Sequence, residues 1–527
     1  MAMTIQFKQK LAIIALLLAI NVTLSVTCIL YSQYWYIFIV PLSLSMAFSC
    51  LCVLLIIAVN TFKLIKGTKI PEVSASRNMA FVVPCYNENY DELSRTITSL
   101  EQQQHLDQHK SVMIVICDGR VKGSTSENTT DAILKDLLKE SIHASMLFPS
   151  AYTTWTGVSM DIEIVYGETK KRPFICFIKN ENMGKRDSLV FVRKLLFSHN
   201  QNYANNAGYY TDEVMKFFKE YCSKYNFDKF DYIVGTDADT VFADDCTYEL
   251  LKEIETDDKT HGVVGFVKIS PSCPKWSFWT IYQQTEYIIA QCLRRVQQSI
   301  VTHKVSCLSG CVQILRISEE TSGNTILSAF IKYPEENANI FKHILSFASE
   351  DRNHVCLMLH NFPYVRTRQC IKASAYTIVP MNITTFRSQR RRWSLGATCN
   401  DLLLTFMTGI NWYERIGAIF NVMTYCMCWF IVVATGVFIY SIIKSPNIIM
   451  LYLSTMMLIP LFYNVCNVFW APFDSMTDRM RYLLGMIVYY VFGPFINIGI
   501  TTYSIAHMDC FKWGKTRTVA QTETSNA

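Results

Sequence analysis

The sequence predicts an α/β domain with a mainly parallel sheet, inserted between transmembrane α-helices at both ends of the chain. Three observations carry this. Charged residues make up only 17% of the 527 residues, although half of the chain is hydrophobic; an ordinary soluble protein is about 25% charged. The missing charges are confined to the two ends. Between them, short apolar runs alternate with helical patterns, the order that builds βαβ units. The net charge of +6 is mild and forms no basic patch, so no nucleic-acid partner is expected. The high apolar content also excludes a disordered or acidic-tail protein.

Residues 1–10 form a short amino-terminal segment with Lys8 and Lys10. Residues 11–62 are 52 consecutive positions without Asp, Glu, Lys or Arg, enough for two helices of about 20 residues each, with Tyr31-Ser32-Gln33 as the turn. The first apolar run is too long for a signal-peptide core, and no small-residue cleavage site follows it. Lys63, Lys66, Lys69 and Arg77 follow the pair, so both flanks are basic and both are expected in the cytoplasm. Residues 63–385 should then be a cytoplasmic domain, followed by interfacial helices over 386–415. Three further uncharged windows, 416–443, 445–473 and 482–508, are 27 to 29 residues long and should form a membrane bundle over 416–508. Residues 509–527 are a tail. Its Lys512, Lys515 and Arg517 favour the cytoplasm, whereas three late crossings would put it outside. Either one late window does not fully cross, or four crossings share three windows. Segments 278–298 and 401–412 mix aromatic and polar residues and read either as interfacial helices or as core helices.

The 19 cysteines suggest no disulfide framework, and a cytoplasmic domain would keep them reduced. Cys307 and Cys311 lack a second Cys/His pair for a zinc site. The sequons at Asn128 and Asn382 read as chance in such a domain.

In the central region, residues 79–84, 112–117, 174–178, 232–236 and 263–269 read as buried strands. Residues 184–197, 211–225 and 245–255 read as helices. The polar stretch 119–159 reads as an insertion or irregular region. Ligands of such sheets sit beyond the carboxyl ends of the strands, and several polar motifs fall there. The first strand runs into Cys85-Tyr86-Asn87-Glu88 and the second into Asp118-Gly119. A strand-end carboxylate can accept hydrogen bonds from a base or ribose, but equally can cap a turn. Asn182-Met183-Gly184-Lys185-Arg186-Asp187-Ser188 opens a helix whose free amides and cations suit phosphate oxygens. It is not a P-loop, because position 179 is Lys rather than Gly. Asp237-Ala238-Asp239 follows a strong strand, and two carboxylates there suit Mg²⁺ or Mn²⁺ bridging a diphosphate. Glu350-Asp351-Arg352 offers a general base, or merely acidic residues complementing a helix dipole. Gln389-Arg390-Arg391-Arg392-Trp393 offers guanidinium groups for a diphosphate and an indole face for a sugar ring. Beside a membrane, such a cluster also serves as a headgroup anchor.

Taken in order, these motifs resemble a membrane-embedded family 2 glycosyltransferase, and specifically a chitin synthase, over about residues 77–517. Val83-Pro84-Cys85-Tyr86-Asn87-Glu88, Gly184–Ser188, Glu350–Arg352, Gln389–Trp393 and Trp513-Gly514-Lys515-Thr516-Arg517 carry the resemblance. The chain departs from it at Ser309, where Pro is usual, and at Ser349, where Gly is usual.

The resemblance implies a cytoplasmic nucleotide-sugar-binding glycosyltransferase domain. It places Tyr86, Glu88, Asp118, Lys185 and Arg186 around UDP, and Asp239 with Asp237 at a Mg²⁺ or Mn²⁺ ion and the diphosphate. Glu350 would lie beside the catalytic base, Asp351. Gln389, Arg392 and Trp513 would contact the nucleotide sugar, Trp393 would floor the acceptor site, and Cys307 and Gly310 would border the acceptor sugar. It further implies UDP-N-acetylglucosamine as donor, a growing β-1,4-linked chitin chain as acceptor, processive inverting transfer, export through the lipid bilayer of the plasma membrane, and compatibility with a homo-oligomer. Hyaluronan or cellulose synthesis is the alternative within the class, and the three consecutive arginines favour chitin. A nucleotide-sensing transporter or receptor is the alternative outside it. That reading predicts titratable groups inside the spans, where the late windows offer only His507, at the end of the last.

Overall fold

A computed structural model describes residues 4–66, 72–123, 126–202, 208–444 and 447–511. Two apolar helices come first, α1 over Ile5–Leu30 and α2 over Val40–Lys66. The turn expected at residue 31 is a 3-10 turn, Ser32–Tyr34, followed by a single helical turn, Trp35–Phe38. Side chains at the start of α1 reach the central domain: Gln6 donates to the carbonyls of Glu336 and Ala338.

The central domain is built on ten strands. They are β1 (Asn78–Cys85), β2 (Lys110–Cys117), β3 (Ile142–Thr153), β4 (Ser159–Glu168), β5 (Pro173–Lys179), β6 (Tyr232–Gly235), β7 (Thr240–Phe242), β8 (Thr260–Ile269), β9 (Gln313–Arg316) and β10 (Arg366–Thr377). They form one sheet in the order β3-β4-β5-β2-β1-β6-β9-β8-β10-β7. The middle, β5-β2-β1-β6, is parallel, as is β8-β10. The remaining pairings are antiparallel, so the sheet is mixed, with the expected parallel arrangement in its core. The stretch 119–159, read as an insertion or irregular region, is instead regular for much of its length: it holds a helix, Thr130–Leu137, and all of β3. The strand eluded the pattern because it lies at the sheet edge, with many polar or solvent-facing positions.

Central strands read as unbroken apolar runs because both faces are covered. Ala80, Val82, Ile114 and Ile116 pack on one side with Phe191, Val192, Leu195 and Leu196 of helix α3, Lys185–Asn200. Met79, Phe81, Met113 and Val115 pack on the other with Leu93, Ile97, Leu250 and Leu251. Each such buried Val, Leu, Ile, Phe or Met side chain contributes about 1.5–3 kcal/mol. The register sets Cys85 beside Cys117 and Val82 beside Gly235, so the chain segments leaving β1, β2 and β6 emerge together.

Helix α4 (Phe278–Ala290) is capped by Ser277 and continues into two π-helical turns, Gln291–Arg295 and Gln298–Thr302. Helix α5 is Glu350–Asn361. Helix α6 is Ile383–Phe406, and Asn382, one of the two sequon residues, caps it by accepting from the Thr385 amide. The segment expected as one helix over 401–412 is instead the end of α6, a short loop and the start of α7 (Trp412–Cys426). Then follow α8 (Phe430–Lys444), α9 (Ile448–Trp470) and α10 (Met476–Ala506).

Among the described residues α1, α2, α9 and α10 are long and apolar enough to cross a membrane, while α7 and α8 meet at an 87° bend. Helix α10 meets domain-side residues at both ends. Asp474 pairs with Lys268 and Arg481 donates to the Lys275 carbonyl, while Asp509 pairs with Lys10 of α1.

Candidate active site

The segments leaving β1 and β2 are folded by their own carboxylates. Glu88 Oε2 accepts the amides of Tyr86 and Asn87 at 2.6 and 3.1 Å. Burial, first, raises the Tyr86 phenol, whose hydroxyl pairs with Asn182. Asp118 Oδ1 accepts the Met183 amide at 3.0 Å and Lys179 Nζ at 3.1 Å. Lys179 is fully buried, and it also reaches Asp187 Oδ2 at 2.7 Å and Ser188 Oγ at 2.8 Å. Tyr152 OH and the Trp155 amide complete the bonds to Asp187. A buried ammonium is tolerated only when paired. Lys179, the residue that excluded a P-loop, therefore ties Asp118 to the start of α3. Sequence reasoning missed this, since nothing local marks which carboxylates a lysine will meet.

Lys185 and Arg186 point apart. Lys185 Nζ donates to Asp237 Oδ1 at 2.6 Å and lies 3.6 Å from Glu350 Oε1. Arg186 turns into the protein, donating to the carbonyls of Phe330 and Leu345 and to Asn353 Oδ1, with its guanidinium 4.3 Å from the Phe330 ring centroid. Arg186 is thus a buried strut whose guanidinium is engaged inside the protein rather than beside Lys185.

Asp351 sits against Lys185. Its Oδ2 accepts the Gly310 amide at 2.8 Å, and its Oδ1 is buried without a hydrogen-bond partner. A Cβ built on Gly310 would stand 2.9 Å from both Asp351 Oδ1 and Lys185 Nζ, so only glycine admits this approach. Burial pushes the Asp351 carboxyl up to about 6; Lys185 opposes this, and Glu350 and Asp237 add to it. Burial would raise Glu350 too, but Lys185 and then Arg392 hold it below the usual carboxylate range. Burial disfavours the charge on Lys185, yet Asp237, Asp351 and Glu350 hold its pKa above the ordinary lysine value. Two neighbouring carboxyls driven apart in pKa are the arrangement that assigns acid–base roles. Cys307, at the other end of the Gly310 loop, feels burial first, then Arg295 and Asp351, and its thiol is raised.

Asp237 and Asp239 flank Ala238 just before β7. Asp237 has a side chain 36% exposed, and Asp239 is half-buried with Thr240 Oγ1 at 3.5 Å. Among the described residues no group of three or more His, Cys, Asp or Glu could enclose a metal ion. A pair of carboxylates is nevertheless the donor set that Mg²⁺ uses when substrate oxygens and water fill its other positions. Asp239 and Asp237 fit that role.

On α6 the five-residue motif divides its work. Gln389 Oε1 accepts from Arg390 at 2.5 Å, so it is held within the motif. Arg390 is buried and pairs with Glu286. Burial lowers the Arg392 pKa while Glu350, Asp237 and Asp351 raise it, so Arg392 is the arginine among the carboxylates. Trp393 remains 42% exposed. The structure brings Lys185, Asp237, Gly310, Glu350, Asp351 and Arg392 together. Trp513 lies outside the described residues.

A family model described as chitin synthase matches residues 52–159 and 169–527. Chitin synthase 8 of Gibberella zeae is 35% identical over 98% of this chain and 78% of its own length. Chitin synthase 8 of Verticillium dahliae is 31% identical over 79% of this chain and 72% of its own length. Among solved structures, the mannosyltransferase PcManGT from Pyrobaculum calidifontis, in complex with GDP-Man and Mn²⁺, gives a TM-score of 0.42 at 9% identity, covering 89% of this chain and 99% of that one. The family model runs through the sheet, the carboxylate cluster and the arginine–tryptophan helix. The chain is therefore a membrane glycosyltransferase, acting on a nucleotide sugar and a polysaccharide acceptor, and it belongs to the chitin synthase family.

Proposed function

We propose that this chain polymerises chitin processively, transferring N-acetylglucosamine from UDP-N-acetylglucosamine to the 4-hydroxyl at the non-reducing end of a β-1,4-linked chain. The observation that carries the reading is Asp351: a carboxyl with one buried, unengaged oxygen and a pKa pushed up to about 6, beside Lys185 and Asp237. A base whose pKa lies close to working pH is ionised yet still strong enough to take a proton.

In this mechanism Asp351 Oδ1 receives the proton of the acceptor 4-hydroxyl. The oxygen attacks the anomeric carbon from the face opposite UDP, and the bond to the diphosphate oxygen breaks with inversion. Lys185 and Arg392 face the charge that grows on the departing diphosphate. Asp239 and Asp237 would hold Mg²⁺ or Mn²⁺, which when bound supplies Lewis-acid stabilisation of the diphosphate oxygens. Tyr86, Glu88 and Asp118 shape the uridine side, and Trp393 offers its indole face to the acceptor, with Cys307 and Gly310 beside it. Trp513 belongs to the same reading.

In this reading the domain is cytoplasmic and the polymer leaves across the plasma membrane through the helices beside Trp393. Gln6 and Asp509 both lie with the domain side of the molecule, which supports a cytoplasmic amino terminus and tail. The start of α10 meets the domain as well, so α10 is the late window that does not cross, and the bent pair α7–α8 with α9 makes the outward and return crossings.

Purified protein incubated with UDP-N-acetylglucosamine and Mg²⁺ or Mn²⁺ should yield insoluble, chitinase-sensitive product. Polymer formed only when UDP-glucuronate is also supplied would replace chitin with hyaluronan.

A further inference from the structure

We propose that Arg390 and Glu286 are positioning residues for the acceptor, holding the indole of Trp393 from behind; this rests on reading Trp393 as the acceptor floor. Arg390 and Trp393 stand three apart on α6, so they share a face of the helix. The Arg390 guanidinium lies 4.1 Å from the Trp393 ring centroid and 4.6 Å from that of Phe386, and the Tyr287 ring lies 6.1 Å from Trp393. Arg390 is 4% exposed, so it is not available to a soluble diphosphate. Its nitrogens are taken instead by Glu286 Oε1 and Oε2 at 3.2 and 2.5 Å, Gln283 Oε1 at 3.2 Å and Gln389 Oε1.

The chemistry follows from planarity. A guanidinium is flat and presents donors only at its edge. Glu286, Gln283 and Gln389 occupy that edge, which fixes the plane and leaves its face to stack on the indole. Lysine could supply the charge but not the flat support. A stacked cation in a dry setting restrains the ring by an attraction equivalent to about a tenfold change in affinity, and that is the scale on which a sugar face senses the tilt of its platform. Glu286 on α4 thus reaches the acceptor through Arg390 without touching it.

The test uses the full chain in detergent or nanodiscs, with a β-1,4-linked N-acetylglucosamine tetrasaccharide as acceptor. Removing one partner alone would leave a buried charge, so Glu286→Gln is combined with Arg390→Met, an uncharged pair of similar volume that keeps the fold. The acceptor KM should rise about tenfold, while the KM for UDP-N-acetylglucosamine stays within about twofold. Arg390→Lys, which keeps the ion pair, should raise the acceptor KM about threefold. Trp393→Ala is run beside both. An acceptor KM raised by Trp393→Ala but unmoved by the other two variants overturns the positioning role. An acceptor KM unmoved by Trp393→Ala removes the acceptor-floor reading itself, and the proposal with it.

Discussion

A Cβ built on Gly396 would stand 2.3 Å from the Cβ of Ser349. Helix α6, which carries Trp393, therefore touches the residue that immediately precedes Glu350 and Asp351, with no room for a methyl group. Ser349 itself is left-handed, at φ 59°, where an L side chain costs about 1–2 kcal/mol that glycine avoids. This is the position at which the resemblance drawn from the sequence expects Gly. Gly396→Ala should push α5 from α6 and lower kcat about 100-fold if the base moves by ~1 Å. Ser349→Gly removes the atom the new methyl would strike. It should stabilise the parent by about 1 kcal/mol and restore much of the activity lost in Gly396→Ala. Melting temperatures and initial rates of the four proteins form the cycle, and additive effects would contradict the contact.

The Asp351 carboxyl, raised to about 6, fixes the acid side of the pH profile. Transfer needs the carboxylate, so kcat should fall about tenfold per unit below pH 6. Lys185 opposes the rise of Asp351, so Lys185→Met should move this limb to higher pH as well as weaken donor binding. Asp351→Asn should abolish polymer formation while UDP binding, followed by calorimetry, persists. The same shift acts on stability with a definite sign. The folded pKa lies above the unfolded one, so the burial cost is absent at low pH, where the carboxyl is neutral in both states. That cost appears as pH rises through 6. Asp351→Asn should then melt higher than the parent at pH 8 and lose this advantage near pH 4.

Arg352, next to the base, donates to Asp401 Oδ1 on α6 at 2.6 Å, and Asn421 of α7 donates to Asp401 Oδ2 at 3.0 Å. One residue further on, Asn353 donates to Asn400. Two rungs thus tie α5 to α6 just behind the carboxylates. Asp401→Asn leaves a largely buried guanidinium undercompensated and should destabilise by about 3 kcal/mol. Replacing both partners, Arg352→Met with Asp401→Leu, should recover most of the melting temperature, since apolar pairs often substitute for buried ion pairs. It should not recover kcat, because the start of α5 is no longer held. Recovery of both would make the pair merely structural.

Much of this site was legible because it follows strands that are buried on both faces. Their apolar runs end abruptly at Tyr86, Asp118 and Asp237, and the register of β1, β2 and β6 brings those ends together. The edge strand β3 was not legible, since it lies half open to solvent and its apolar run is broken by His143, Ser145, Pro149 and Ser150. The direction of Arg186 was not legible for a geometric reason: adjacent residues on a helix point about 100° apart, so the neighbour of Lys185 faces the protein interior. Lys179 and Glu286 were missed because their charges are meaningful only through partners on distant segments, Asp187 and Asp118 for one, Arg390 for the other.

Asn21, in the middle of α1, holds the break between α7 and α8. Its Oδ1 accepts the amides of Trp429 and Phe430 at 3.1 and 2.8 Å, and its Nδ2 donates to the carbonyls of Cys426 and Leu17, both at 2.7 Å. The side chain is 3% exposed, and every hydrogen-bonding group of the amide is engaged. A helix bent by 87° frees backbone groups, and away from water each unsatisfied one costs several kcal/mol. Asn21→Leu removes a partner from two amides and two carbonyls at once. It should lower the melting temperature of the solubilised protein and open Cys426 and Cys428 to maleimide. Asn21→Asp, protonated in this setting, can still accept from the amides and donate once to Cys426, so it should fall between the parent and the leucine variant. Should the leucine variant melt and label like the parent, the bend is set by the packing of Phe430 and Met427 against Trp35 and Ile39 rather than by Asn21.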